Sequence, residues 1–232
     1  MGASGVAMGA VECRDALYEG ARYTLCEVDA QRDSLRLFLR DSGGRIFGQF
    51  TNIARDLPPP RRLVFAMNAG MYHGDRSPVG LYIEDGQQAQ PLITMAGPGN
   101  FGMLPNGVFC IRPQRADVIE TTAFIRQRPD CLHATQSGPM LVIKGALHPR
   151  FLPNSPSRFI RNGVGTDDTG RRVIFAISNQ PVTLHAFARL FRDHLNLPSA
   201  LYLDGKVSRL YAPAVGRSDL GPRLGPIVGL VR

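Results

Sequence analysis

The segment Leu201–Pro213, LYLDGKVSRLYAP, sets the reading of the whole chain. An apolar run stops at Asp204-Gly205, a polar loop carries Ser208, and an apolar-polar run resumes at Leu210. Upstream lie VIFAIS (Val173–Ser178), of strand length, and TLHAFARLFRDHL (Thr183–Leu195). In the second, Leu184, Phe187, Leu190, Phe191 and Leu195 make one apolar helix face, with His185, Arg189, Arg192 and Asp193 on the solvated side. Strand, helix and strand in succession carry the end of the second strand to an open edge of the sheet, where ligands commonly bind. Asp204 then stands at that edge. A second reading stays open, in which Asp204-Gly205 only makes a turn.

With 232 residues, 44% hydrophobic and 20% charged, the chain can bury a substantial core. The net charge is +8, and all the basic residues except Lys144 and Lys206 are arginines. These arginines are scattered, and Trp is absent. Nucleic-acid binding calls for a clustered basic stripe with stacking aromatics, so no nucleic-acid partner is expected. An anionic small substrate suits the charge better, because the guanidinium fork matches phosphate geometry. No apolar run is long enough to span a membrane as a helix.

The remaining pattern predicts short strands and few helices. RYTLCEV (Arg22–Val28) and LRLFLR (Leu35–Arg40) read as a hairpin, and Gln49–Leu57 as a short helix stopped by Pro58-Pro59-Pro60. LVFAM (Leu63–Met67) reads as a buried strand that delivers Asn68 to a loop, followed closely by Tyr72, His73, Asp75 and Arg76. VGLYI (Val79–Ile83) is the next strand, with Glu84 and Asp85 as solvated turn residues. Gly97–Asn106 reads as a constrained loop, Gly107–Ile111 and Ala116–Glu120 as a hairpin, and Thr121–Arg126 as a helix. His133–Ile143 reads as a polar loop entering a strand. Because that strand follows Ser137, the residue does not sit in a nucleophile elbow. His148 reads as a surface or loop histidine. Arg161 and Asn162 precede a hairpin whose turn is Asp167-Asp168-Thr169-Gly170, and the tail Leu224–Val231 is a final strand. The expectation is an α+β fold: a single domain over 13–232 with a mostly antiparallel or mixed sheet, and a flexible segment over 1–12.

The N-terminal stretch Met1–Cys13, MGASGVAMGAVEC, lacks the basic region and long apolar core of a signal peptide. Cys13 with Cys26 and Cys110 with Cys131 form two candidate disulfides, which suits a periplasmic or secreted location. Four buried thiols in a cytoplasmic protein remain the alternative.

Five segments in order resemble the phosphodiester glycosidase family: FAMNAGMY with PVGLYIEDG, PNGVF, TQSGPMLVIKG, RNGVG with DDTGRRVIFAIS, and ALYLDGKVSRLY. That family includes a lysosomal uncovering enzyme and bacterial proteins associated with exopolysaccharide. Its NGGFF pattern stands here as Asn68-Ala69-Gly70-Met71-Tyr72, and its LDGGGS as Leu203-Asp204-Gly205-Lys206-Val207-Ser208. The departures imply a sub-branch whose pocket differs near Lys206.

The resemblance implies hydrolysis of a sugar-1-phosphodiester, releasing sugar and leaving a phosphomonoester. Glycosidic cleavage usually needs two carboxyl groups, but a phosphate leaving group is a weak base and needs little protonation. Asp204 is the expected nucleophile or general base, and Arg161 the phosphate clamp. Asn68, Asn106, Asn162, Ser137, Gly138, Ser208 and Tyr72 are expected around sugar and phosphate. For Arg161 a structural ion pair, and for Asn68, Asn106 and Ser137 loop-locking hydrogen bonds, are the competing roles. Asp75, Asp167 and Asp168 are candidates for a second carboxylate, each also readable as a turn residue. No cofactor is implied with certainty. Two other functions fit the same residues: a non-catalytic carbohydrate-binding or envelope-assembly protein, and a phosphodiesterase using a divalent metal. The sugar, the aglycone and the oligomeric state are not encoded in any motif.

Overall fold

The structure, a computed structural model, describes residues 12–204 and 207–232. In chain order the strands are β1 (Glu12–Tyr18), β2 (Ala21–Asp29), β3 (Ser34–Phe38), β4 (Leu63–Asn68), β5 (Tyr82–Glu84), β6 (Gln87–Gln90), β7 (Gly107–Arg112), β8 (Arg115–Glu120), β9 (His133–Ser137), β10 (Met140–Ile143), β11 (Ala146–Leu147), β12 (Asn162–Thr166), β13 (Arg172–Ser178), β14 (Ser199–Tyr202), β15 (Leu210–Ala212), β16 (Arg217–Ser218) and β17 (Ile227–Val231). The helices are α1 (Phe50–Asp56), α2 (Thr121–Gln127) and α3 (Leu184–Arg189), the last continuing as a π-turn over Leu190–His194. Thr183 Oγ1 caps α3 by accepting from Ala186 N–H at 3.0 Å, and the Glu120 carboxylate caps α2 through Thr122 and Ala123.

The strands form three sheets: β1-β2-β13-β12-β14-β10-β11, β16-β15-β4-β17-β3 and β6-β5-β9-β7-β8. Each turns one face to a common core. Phe175 of β13 is the meeting point, with its ring 5.1 Å from Phe65 of β4 and 5.7 Å from Phe109 of β7. Each sheet buries its other face under a helix. Tyr23, Ile174 and Tyr202 pack on α3, Phe38 and Ile227 on α1, and Val108 and Ile119 against α2. Burial on both faces explains why VIFAIS is apolar without a break. It also explains Gly165 in β12, where a Cβ would stand 2.7 Å from the Phe191 ring.

The α+β expectation holds, with antiparallel pairing throughout the recorded ladders. The strand-helix-strand unit is β13-α3-β14, with β12 inserted between its two strands. Several local expectations are corrected. The expected hairpin of the second and third strands does not form. β2 pairs with β1 and β13, whereas β3 pairs with β17 in another sheet. His133–Ser137 is strand β9, so Ser137 has a strand on both sides. The strand placed at Val79 begins at Tyr82, and Glu84 is half-buried, accepting from the Tyr82 hydroxyl at 2.7 Å. His148 is buried and stacked on Phe151 at 4.7 Å. The flexible segment 1–12 lies outside the described residues except for Glu12, which opens β1.

Two disulfides, Cys13–Cys26 and Cys110–Cys131, account for all four cysteines. Cys13 and Cys26 face each other across the β1–β2 ladder, which explains the first pairing. Thiol titration of the unreduced protein is expected to find no free thiol, against four after reduction and unfolding. Removing either bridge is expected to cost about 2–4 kcal/mol in urea unfolding.

His133 supplies a pH dependence. Its buried Nδ1 accepts from Asp85 N–H at 3.2 Å, and burial pulls its pKa from 6.5 down to about 4. The unfolded chain therefore takes up a proton at a higher pH than the folded one. This contribution to stability is complete above pH 6.5 and is lost as pH falls toward about 4. Urea midpoints measured across that range should fall with acidification, and the fall should flatten in His133→Gln.

Candidate active site

The site is built where three strands end. β4 finishes at Asn68, β12 starts at Asn162, and the chain leaving β14 passes through Leu203 to Asp204. The two asparagines are fully buried and bonded to each other. Asn162 Nδ2 donates to Asn68 O at 2.9 Å, and Asn68 Nδ2 donates to Asn162 Oδ1 at 3.3 Å. Asn162 Oδ1 also accepts from Asp204 N–H at 3.2 Å, while Asn68 Oδ1 accepts from Arg209 N–H at 2.8 Å. Ser137 Oγ donates to Leu203 O at 2.5 Å. The Ser208 hydroxyl lies 2.8 Å from Asp204 O, 3.0 Å from Ile160 O and 3.2 Å from Asn162 Oδ1, and its single proton can serve only one acceptor at a time. Asn68, Asn162, Ser137 and Ser208 thus come together and hold the backbone on both sides of Asp204.

Asp204 lines a cleft of about 980 Å³, together with Tyr72, His73, Arg76, Tyr202 and Arg223. The cleft is of ligand size. Its far wall is the loop expected from the Gly and Pro breakers, Gly97–Gly102. Asn106 pins that loop by donating to Phe101 O at 3.1 Å while accepting from Thr121 Oγ1 at 2.6 Å. Gly138 is required beneath it, since a Cβ there would stand 2.7 Å from Asn106 Cβ. Asn106 and Gly138 therefore shape the wall from behind.

Arg161, expected as a phosphate clamp, is turned inward and only 1% exposed. Its guanidinium donates to Val182 O at 2.8 Å, Ser157 O at 3.0 Å and Tyr202 Oη at 2.9 Å. It sits behind the cleft, with its charge spread over the Phe159 and Tyr202 rings. The guanidinium groups on the cleft wall are those of Arg76 and Arg223. Arg76 lies 5.5 Å over the Tyr72 ring, and Arg223 is anchored by a 3.0 Å bond to Ile46 O.

Burial pushes the Tyr72 hydroxyl pKa upward, and the Asp204 charge adds to the rise. Burial and then Asp204 act likewise on Tyr202, against the opposing pull of Arg161, and its pKa reaches about 12. Both phenols stay protonated near neutral pH and can donate hydrogen bonds. Asp204 is the one carboxylate lining the cleft among the described residues. Asp75 is occupied by Ser77, and Asp167 by Thr169 and Arg172. Asp168 lines a separate cavity. No group of three or more His, Cys, Asp or Glu side chains is arranged to hold a metal among the described residues. Lys206, expected to alter the pocket, lies outside them.

Sequence reasoning missed Arg223, Tyr202 and Gln136 as site residues. Gln136 stitches the wall to the core, donating from Nε2 to Ile93 O at 2.6 Å and accepting at Oε1 from Ile93 N–H at 2.9 Å. Arg76 and His73 were visible four residues or fewer from Tyr72, but no pattern separated them from turn residues.

Three antiparallel sheets around one core, with a carboxylate, two guanidinium groups and two phenols in a cleft at the strand ends, define an α+β protein with a cleft of ligand size. Comparison with known proteins narrows this. The model of the phosphodiester glycosidase family matches residues 61–218, and the chain belongs to that family. The uncharacterized protein YigE of Escherichia coli (strain K12) is 35% identical over 184 residues, covering 79% of this chain and 72% of YigE. Two solved structures share the fold at low identity. The zebrafish N-acetylglucosamine-1-phosphodiester alpha-N-acetylglucosaminidase catalytic domain, auto-inhibited by its pro-peptide, aligns at a TM-score of 0.64 and 15% identity over 95% of this chain and 82% of that one. A putative exported protein from Burkholderia pseudomallei aligns at 0.58 and 12% over 90% and 74%.

Asn162→Ala removes the shared acceptor and donor of the Asn68–Asp204 junction. It is expected to cost about 1–3 kcal/mol for each buried group left unpaired, read from urea unfolding.

Proposed function

We propose that the protein hydrolyses sugar-1-phosphodiesters, releasing the sugar and leaving a phosphomonoester. The observation that carries this reading is the position of Asp204, held through its backbone N–H on the wall of a cleft that also presents Arg76 and Arg223, within a phosphodiester glycosidase fold.

Asp204 is assigned as nucleophile or general base at the anomeric carbon. Arg76 and Arg223 are assigned to the phosphate, where their charge favours departure of a dianionic leaving group. Because that leaving group is a weak base, one carboxylate with two cations is a sufficient set. Tyr72 and Tyr202 are suited to donate to sugar hydroxyls or phosphate oxygens. Arg161, Asn68, Asn162, Ser137 and Ser208 become positioning residues. Arg161 fixes Tyr202 and the Ser157 wall, and the others fix the Asp204 backbone.

The two disulfides support an exported, oxidising location. The family resemblance supports a role in cell-envelope or exopolysaccharide metabolism.

Product analysis on a panel of sugar-1-phosphodiesters tests the reading. The expected products are free sugar and phosphomonoester, with kcat reduced about 100-fold or more in Asp204→Asn. Sugar phosphate as product, lost on chelation, points instead to a metal-dependent phosphodiesterase. Binding without turnover points to a carbohydrate-binding protein.

A further inference from the structure

The cleft carries a second chemistry that the reaction does not use. Beside its charged groups it is lined by Met71, Val79, Ile93, Phe101 and Val207. At its rim stand Met95 and Phe159, which are 77% and 50% exposed. Both line the same cleft while staying exposed, and so offer apolar surface to whatever occupies it.

Their exposure is built in. The Phe159 backbone is tied to Val182 in both directions, at 3.2 and 2.9 Å, and its ring rests over the buried Arg161 guanidinium. The loop after Met95 is pinned at Phe101 by Asn106, and the Ile93 end by Gln136. The Phe159 backbone is thereby fixed beside the cleft, with its ring against the Arg161 guanidinium. Methionine supplies an adaptable, unbranched surface that accommodates flexible apolar chains.

The volume agrees. At about 980 Å³ the cleft stands at the upper end of the roughly 300–1,000 Å³ range of ligand pockets, with room beyond one sugar ring and a phosphate. A second sugar as aglycone requires a further fan of hydrogen-bonding side chains. Apart from the groups assigned above, the lining offers His73, Asn100 and Ser157, the last beside the Arg161 guanidinium, while Gly97, Pro98 and Gly99 contribute no polar side chain.

We propose that the cleft takes sugar phosphodiesters whose second ester is a hydrocarbon chain, a lipid-type aglycone, with Met95 and Phe159 as its contact surface. This rests on the reading of the cleft as a phosphodiester glycosidase site. In the reaction, a water oxygen bonds to the anomeric carbon, directly or after a glycosyl-Asp204 intermediate. The carbon–oxygen bond to phosphate breaks with its electrons retained by the phosphate. On the direct route the proton released from water passes to solvent through Asp204; on the glycosyl-Asp204 route Asp204 is esterified and the proton passes to solvent directly. Sugar and an alkyl phosphomonoester result, with no change of oxidation state.

Two arms separate this inference from the catalytic reading. The first is calorimetric binding of hexyl phosphate and methyl phosphate to the whole chain. Hexyl phosphate is expected to bind at least about tenfold more tightly, the order of discrimination that an apolar pocket gives to added methylenes. The ratio should fall toward one in Met95→Ser and in the double variant with Phe159→Ser. It should stay unchanged in Leu17→Ser, an exposed position outside the cleft. Equal binding of the two phosphates, or a ratio untouched by Met95→Ser, overturns the inference. The second arm is hydrolysis of the hexyl and methyl diesters of glucose 1-phosphate. Turnover of both at equal kcat/KM overturns the inference and leaves the hydrolase standing. Hexyl preference in binding, without turnover of any diester on the sugar-1-phosphodiester panel, keeps Met95 and Phe159 as a contact surface for the chain of a phosphate ester and removes the hydrolase.

Discussion

The Asn68–Asn162 pair is the contact on which the site depends. One asparagine ends a strand of a five-stranded sheet, the other begins a strand of the seven-stranded sheet, and their amides bond across the gap. Both are wholly buried, so each unmet polar atom would carry its full desolvation cost. Asn162 Oδ1 and Asn68 Oδ1 then reach the backbone N–H groups of Asp204 and Arg209. A carboxyl-bearing loop is thereby positioned by two sheets at once. This is the arrangement preorganised chemistry requires: rigid strand ends supporting a residue that faces a cavity.

That junction exists because the three sheets cannot separate. Phe175 touches Phe65 and Phe109, one from each neighbouring sheet, and each outer face is sealed by a helix. The result is a core shared among three sheets instead of the usual pair of layers. Buried Arg209 belongs to the same framework. It donates to Asp219 O and Pro222 O at 2.7 Å and to Gln49 Oε1 at 2.8 Å, which holds the segment leading to Arg223 against α1. Gly225 follows, with the Tyr72 ring close enough that a Cβ would lie 2.5 Å from Cγ. Two walls of the cleft are in this way fixed to elements far apart in sequence.

Arginine is used in two ways here. Arg161 and Arg209 are buried, saturated by carbonyls and aromatic faces, and serve as internal fasteners. Arg76 and Arg223 line the cleft. The planar guanidinium suits both roles, because it satisfies several acceptors in one plane and is weakly hydrated. A net positive charge spread over so many arginines is consequently a poor guide to which of them meets a ligand.

Much was legible in the sequence. Pattern and punctuation determined the α+β class, the three helices, the hairpins at Gly107–Glu120 and Asn162–Ser178, and the loop that became the cleft wall. Local chemistry also marked Asn68, since a polar residue coming straight off a buried strand must find partners, whereas Asp204 and Asn162 stood out through the family resemblance. What it could not determine was pairing across sheets. β2 and β3 alternate well enough to suggest a hairpin, yet they part into different sheets because each finds a better-matched long-range neighbour. Nor could it say which way a side chain turns. Arg161 and Arg76 are the same residue type in loop-like contexts, and only the packed chain places one behind Tyr202 and the other on the cleft. Periodicity and turn chemistry act over a few residues, so the sequence determines them directly. Side-chain direction at a sheet junction depends on carbonyls and rings contributed from remote parts of the chain, and only the tertiary structure decides it.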